Sequence, residues 1–335
     1  MTAGGRGAVV VVEGAGLAEL TCAWLLAGRG HRVRLAGARP APGPRPLVLN
    51  EVTVDLLRSL WGTRHVPDGW WLTHRQVAWG AGTGPGRLAQ TAVVVDGAEL
   101  AGRLLARLAA RHRGVIGGAI GGQEPQPGWT VTAAPQDGPG AQWTAGRRHL
   151  LAGEAALAPG EDERTALLAC TEPAWLHLTP LGGGRALLQA MVPGPVRDSA
   201  GLLTRLLAAS PLADRLRHAP ASAVAVPAAP RVHRAPAPPG RLVVGAGALR
   251  HDPLSGSGTA QALRTAVLAA AVVDAAARGV PADALRAHYT ARLHAAFREH
   301  LRTCARLYAA AFPSAAWHDE LDAARLPLPA PPVPA

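Results

Sequence analysis

The 335-residue chain is 48% hydrophobic, enough to bury a large core over one or two domains and too much for a disordered polymer. Its formal charge of +11 rests on 34 basic side chains, all of them arginine, because the sequence contains no lysine. That absence excludes lysine Schiff-base catalysis, a P-loop lysine and any mechanism that needs a lysine ammonium in the site.

The first forty residues read as a nucleotide-binding βαβ opening. Ala8–Val12 is an apolar run, Gly14-Ala15-Gly16 a tight glycine turn, Leu17–Arg29 has helical periodicity, and Arg32–Leu35 reads as a second strand. Glu13 and Glu19 flank the turn, where a pyrophosphate disfavours an anion, and Gly37 stands where an acid would hold a ribose. A Pro/Gly segment, Ala38–Pro46, leads to a helix-like stretch, Glu51–Leu60, with Val54, Leu57 and Leu60 on one face. Glu51 and Asp55 share a face of it, which capping or solvation explains.

Thr91–Asp96 then reads as a strand and Glu99–Arg111 as an amphipathic helix. Across 115–192, short alternating runs such as Trp129–Ala133, Trp175–Leu178 and Ala186–Met191 alternate with glycine, proline and acidic turns, the pattern of a β-rich insert. Leu202–Leu216 returns to helix, and Pro220–Pro239 is a proline-studded crossing with little periodicity. Arg241–Gly245 is a strong strand, the loop 246–258 follows, and a long helix starts at Thr259. Pro281–Arg292 and Leu293–Ala311 read as two helices before a Pro/Ala tail expected to be disordered.

Arg103, Arg107, Arg111 and Arg113 are dispersed over a helical face, so the positive charge reads as a solvated surface and no nucleic-acid partner is expected. No apolar stretch reaches the roughly 18–20 residues that span a bilayer, and Asp274 interrupts the alanine-rich run 266–277, so no membrane span is expected. The start lacks an apolar core behind a basic segment, so no signal peptide is expected. Cys22, Cys170 and Cys304 are isolated, with neither CxxC nor metal-ligand spacing, which points to a reduced, cytoplasmic protein without a metal.

The most specific run is Leu242–Gly258, where a buried strand ends in Gly245, a loop carries His251, Asp252 and Pro253, and Ser255-Gly256-Ser257-Gly258 opens a helix. First-turn N–H groups of such a helix lack intrahelical partners and favour an anion or an electron-rich ring edge. His251 beside this loop is a candidate acid/base, against the plainer reading of a polar loop residue, and Ser255 and Ser257 read as helix-start hydroxyls. His177, on an expected strand, is a second candidate facing a substrate cavity, or else a satisfied half-buried histidine. Trp61, Trp70, Trp71 and Trp79 are dense enough to wall an aromatic pocket or simply to pack the core.

On these residues the chain resembles the FAD-dependent monooxygenase superfamily of the p-hydroxybenzoate hydroxylase fold. Within it the likeness is to the halogenase-like branch, which includes monooxygenases that modify quinone-cofactor enzymes. It runs through Val11–Leu26, Leu47–Gly62, Arg75–Gly80, Val93–Leu108, Trp175–Gln189, Arg241–Ala271 and Tyr289–Trp317. The resemblance implies an α/β fold: a Rossmann-like three-layer FAD domain (1–62, 93–114 and 231–277), an inserted β-rich substrate or cover domain (63–92 and 115–230), C-terminal helices (278–322) and a tail (323–335). It implies FAD contacts at Gly14, Ala15, Gly16, Arg45, Gly245, Asp252, Pro253, Gly256, Ser257 and Gly258, with catalytic candidates His251 and His177. It also implies monooxygenation of a small or peptide-borne aromatic substrate through a flavin C4a-hydroperoxide, with electrons from NAD(P)H or a partner flavin reductase. The alternative is a non-catalytic relative that uses the fold to bind a partner or intermediate.

The departures are specific. Glu19 replaces a third glycine, Gly37 an acid, and Ala246 the aspartate that meets the ribityl chain and pyrophosphate in the family. Three lost contacts at roughly 1–1.5 kcal/mol each weaken cofactor binding by two to three decades. Halogenation is disfavoured, because the halogenase branch uses a lysine and its Trp-x-Trp-x-x-Pro signature appears here as Trp175-Leu-His177-Leu-Thr-Pro180.

Overall fold

In the computed structural model, the described residues are 9–37, 46–62, 68–80, 84–115, 128–134 and 141–325. Arg45 lies outside them. In chain order the first strands are β1 (Val10–Glu13), β2 (Val33–Ala36), β3 (Pro46–Asn50), β4 (Trp70–Ala78) and β5 (Gly86–Asp96). They are followed by β6 (Trp129–Thr132), β7 (Gln142–Thr144), β8 (His149–Ala156), β9 (Thr165–Thr171), β10 (Ala174–Gly182) and β11 (Arg185–Val192). The last four are β12 (Val224–Pro227), β13 (Arg231–His233), β14 (Arg241–Val243) and β15 (Leu249–Arg250). The helices are α1 (Leu17–Gly28), α2 (Glu51–Trp61), α3 (Gly97–Arg111), α4 (Ser199–Ala208), α5 (Gly245–Ala248), α6 (Gly258–Ala277), α7 (Ala282–Ala311) and α8 (His318–Arg325).

Val10, Val11 and Val12 are buried on both faces, as a central strand of a parallel sheet requires. That strand pairs in parallel with β2 and β6, giving a four-stranded sheet in the order β14-β6-β1-β2. Helix α1 packs against α6 and α3, and α6 packs against α7. Their shared core contains Leu20, Leu26, Val131, Leu242, Leu263 and Phe297. Trp129–Thr132, an alternating run of the expected β-rich insert, lies in this parallel sheet between β1 and β14.

An eight-stranded sheet in the order β12-β8-β11-β10-β9-β4-β5-β3 forms the second layer. One face of it, Leu167, Ala169, Leu176, Leu178, Leu188 and Ala190, is packed by Leu203, Leu206 and Leu207 of α4. The opposite face presents Arg75, Leu168, Trp175, His177, Leu187 and Gln189. Cross-strand register aligns Leu168 with His177 and His177 with Gln189, so all three share that face. A register shift between Leu72 and His74 in β4 brings Arg75 onto the same side.

Several sequence expectations need correction. The crossing 220–239 carries two strands, β12 and β13, which pair with β8 and with β7 and β15. Their pairing partners are distant in sequence, so local periodicity does not reveal them. The helix expected over 202–216 ends at Ala208 and is followed by a separate 3-10 turn, Ala213–Arg215. The two helices expected over 281–311 are one, α7, because no glycine or proline interrupts Ala282–Ala311. Helix α6 is long and apolar enough to cross a membrane by length and composition, yet Leu263, Ala266, Ala269, Ala270, Val272 and Val273 are buried in the core.

Candidate functional site

A cavity of about 240 Å³ opens between the free face of the eight-stranded sheet and the loop that precedes α6. Leu72, Leu168, Trp175 and Leu187 make its apolar wall, while Arg75, His177, Gln90 and Gln189 supply polar groups. Pro253, Leu254, Ser255, Gly256, Gly258 and Thr259 close the other side. Gly256 adopts φ 58°, a left-handed conformation natural to glycine, and an added Cβ there would meet nothing within 4 Å. The first turn of α6 has no side-chain cap. Its N–H groups at Gly258 and Thr259 therefore open the helix at the cavity edge.

His177 lines the cavity, but its ring is deep in the protein. Burial first, and the nearby Arg75 guanidinium second, push its pKa down to about 3, so it is neutral near pH 7. A neutral imidazole there accepts or donates hydrogen bonds and can take up a proton only transiently.

His251 sits elsewhere. Its ring stacks on His300 with centroids 4.0 Å apart and planes 2° from parallel, and Nδ1 lies 2.8 Å from Ser257 Oγ. It does not line the cavity. Burial and His300 hold it well below the ordinary histidine range. His300 Nε2 accepts the Asp252 main-chain N–H at 2.7 Å, which fixes that nitrogen as unprotonated. The pair thus braces the loop from behind.

Asp252 is 1% exposed, and its carboxylate turns inward. Arg148 Nε donates to Oδ2 at 2.7 Å, and Tyr308 Oη lies 3.0 Å from both oxygens. Oδ1 also accepts the Leu254 N–H at 2.9 Å, capping the turn Pro253–Ser255. Arg148 reaches Glu320 at 2.6 Å, and Tyr308 accepts from Trp175 Nε1 at 3.0 Å. The charge of Asp252 is therefore spent inside the protein, while Trp175 carries the network through to the cavity wall.

Glu19 explains the geometry at the other glycine site. It is buried at the start of α1, with its carboxylate folded back over the turn. Built Cβ atoms on Gly14 and Gly16 would lie 2.8 Å and 2.7 Å from its two oxygens. Burial raises its pKa, partly offset by hydrogen bonds from its own main-chain N–H and that of Ala133. Glycine turns at helix starts leave a cradle for phosphate. Here the chain's own carboxylate fills that cradle, so the pyrophosphate of an FAD does not fit beside Gly14 and Gly16 while Glu19 keeps this position. The cavity-side loop presents no such obstacle to a ring edge.

The remaining candidates fall into place around these two centres. Ala15 is buried beneath the turn, and Glu13 is exposed at its edge. Gly245 donates its N–H to Thr265 Oγ1 at 2.8 Å, joining α5 to α6. Ser257 meets His251 and Ser255 rather than capping α6. Asn50, not Glu51, caps α2 by accepting the Thr53 N–H at 2.9 Å.

None of Trp61, Trp70, Trp71 and Trp79 lines the cavity. Trp61 stacks on Trp24 and donates to Thr21, Trp70 lies under Arg164, and Trp79 contacts Tyr308 and Phe312. The cavity indole is Trp175. Sequence reasoning missed Arg75 and Gln189, although their strands alternate with the correct period. Which face is free depends on α4, a non-local partner. Among the described residues no group of three or more His, Cys, Asp or Glu is placed to hold a metal ion.

No protein-family model matches the chain, and no curated protein sequence matches it. Solved structures do. The flavin-dependent halogenase CmlS superposes with TM-score 0.77 at 18% identity, covering 96% of this chain and 68% of that one. The peptidyl tryptophan dihydroxylase QhpG, essential for tryptophylquinone cofactor biogenesis, gives 0.75 at 21% identity, over 91% and 75%. PqsL, a probable FAD-dependent monooxygenase from Pseudomonas aeruginosa, gives 0.69 at 16% identity, over 95% and 99%. The chain has the fold of these proteins.

Proposed function

We propose that the chain is an FAD-dependent oxidoreductase of the monooxygenase type, acting on an aromatic substrate held in the cavity beside His177. The observation that carries this reading is the cavity itself. It lies between the free face of a substrate-type sheet and the Pro253–Thr259 loop at the start of α6, where apolar walls meet a few convergent polar groups. The fold shared with CmlS, QhpG and PqsL supports the same reading. Bound FAD would supply oxygen activation after reduction by NAD(P)H or by a partner flavin reductase. The chain's own contribution is to exclude water with Leu72, Leu168, Trp175 and Leu187, and to hold a neutral imidazole against the substrate. No role in halogenation is proposed, since no lysine is present.

Cofactor binding on this reading requires the Glu19 carboxylate to leave the glycine turn. The test is the absorption spectrum near 450 nm of the purified protein, before and after addition of FAD, followed by oxygen uptake with a supplied reductant. A flavin spectrum that sharpens and shifts on binding supports the reading. A colourless protein with no FAD-induced change rejects it.

Glu19 favours a second reading, a non-catalytic relative in which the dinucleotide site is closed by an internal carboxylate and the cavity binds its ligand alone. Ligand binding to the cavity with no flavin binding under any redox condition is the result this reading expects.

A further inference from the structure

Arg75 is the one arginine among the cavity-lining residues, and no acidic residue lines the cavity with it. Its Nε is buried without a hydrogen-bond partner, and no ion pair joins the guanidinium to a carboxylate among the described residues. Arg148 and Arg286, by contrast, meet carboxylates: Arg148 those of Asp252 and Glu320, Arg286 that of Asp283 as well as the Ala237 carbonyl. Arg231 also has an orphaned Nε but does not line the cavity, so Arg75 is distinguished by where it points. Keeping even a half-buried guanidinium without a counter-charge is costly, and an anion entering the cavity would offset that cost. Burial also lowers the pKa of Arg75, as an uncompensated cation requires.

The neighbours specify what the ligand carries besides charge. Trp175, Leu168 and Leu187 present apolar surface on the same sheet face as Arg75. His177 and Gln189, paired across β10 and β11, add a neutral imidazole and an amide beside it. Planar bidentate recognition of a carboxylate is what a guanidinium does best.

We propose that Arg75 is an anion-binding residue of the cavity, and that the ligand is a small free aromatic carboxylic acid with its carboxylate on Arg75 and its ring against Trp175 and Leu187. A peptide-borne indole or phenol, which is neutral, leaves the guanidinium unanswered. The inference rests on the reading above only in taking the cavity as the substrate chamber; carboxylate binding does not require a flavin.

Calorimetric titration of the purified chain with benzoate and 2-naphthoate, against benzamide and 2-naphthamide, tests it. The acids are expected to bind at least tenfold more tightly than their amides. In Arg75→Gln the preference disappears, and in Arg75→Lys part of it remains, because a point charge survives without the planar fork. Thermal unfolding of both variants separates loss of binding from loss of fold, with Arg75→Gln expected to be no less stable than the parent. Equal binding of acid and amide, no binding of either acid at millimolar concentration, or an undiminished preference in folded Arg75→Gln overturns the proposal. An FAD titration of the same samples reports separately: acid preference without flavin binding removes the flavin reading and leaves the anion site standing.

Discussion

The two carboxylate oxygens of Glu19 lie where side chains on Gly14 and Gly16 would begin, at 2.8 Å and 2.7 Å from the built Cβ positions. The space over this glycine turn is thus filled by a residue three positions beyond Gly16. Glu19→Gly is expected to tighten FAD binding at least tenfold, equivalent to about 1.4 kcal/mol. It also costs about 1 kcal/mol of stability, because glycine sits poorly in a helix. Glu19→Gln removes the charge but keeps the obstruction, so its gain is smaller. Flavin fluorescence quenching at fixed pH measures both, and identical affinities in all three proteins dispose of the idea that Glu19 competes with pyrophosphate.

Arg148 holds two buried acids at once. Arg148→Met leaves Asp252 and Glu320 without their cation, and removing one member of a buried ion pair typically costs about 3–5 kcal/mol. Tyr308→Phe leaves the Trp175 indole N–H without an acceptor, with an expected cost of about 1–3 kcal/mol. Urea unfolding gives both values. A loss below 1 kcal/mol for Arg148→Met would show the network to be dispensable.

His177, His251 and His300 all have pKa values pushed below the free histidine value by burial. The unfolded chain therefore takes up these protons before the folded chain does. Their contribution to stability is fully present above about pH 6.5 and is lost as pH falls through the window towards the folded values, about 3 for His177. Each such histidine adds a slope of up to about 1.4 kcal/mol per pH unit. Denaturation midpoints measured from pH 7 to pH 4.5 should decline, and His300→Asn should flatten the decline. A flat profile in the parent protein contradicts the burial described.

His177 faces the cavity and is uncharged near neutral pH, so its loss should affect turnover more than flavin binding. His177→Asn is expected to lower kcat by about 10²-fold, within the range usual for a group that handles protons in a reaction. Because its folded pKa lies near 3, the parent's kcat profile should show no inflection from His177 between pH 5 and 8. Unchanged kcat in the variant would leave His177 as a wall residue only.

Much of this architecture was legible in the sequence. The valines of β1, the turn at Gly14–Gly16 and the strand from Arg241 lie where their local pattern puts them, because buried apolar runs and glycine turns are local signals. The loop expected over 246–258 instead contains the end of α5 and the strand β15, whose partner β13 is not its neighbour in sequence. The acids at Glu13 and Glu19 were recognised as misplaced, but only the fold separates them: Glu13 points to solvent, whereas Glu19 is buried over the turn. Asp252 is expected as a cofactor contact only through the family resemblance. Its side-chain partners Arg148 and Tyr308, and the Glu320 that shares Arg148 with it, come from distant segments, so no spacing rule discloses that its charge is already used. Arg75 was hidden for a related reason. The shift in β4 that turns it towards the cavity is a property of strand pairing, not of the strand.

The tie between Asp252 and the two C-terminal helices has a temporal side. Everything that lines the cavity, through Thr259, is synthesised before Tyr308 and Glu320 exist. A nascent chain halted after α6 would own every lining residue and Arg148, yet lack the Tyr308 hydroxyl on the Asp252 carboxylate and the His300 nitrogen that holds its main-chain N–H. Such a chain keeps the Arg148–Asp252 ion pair, and the last contacts on the loop over the cavity form only once α7 has been made.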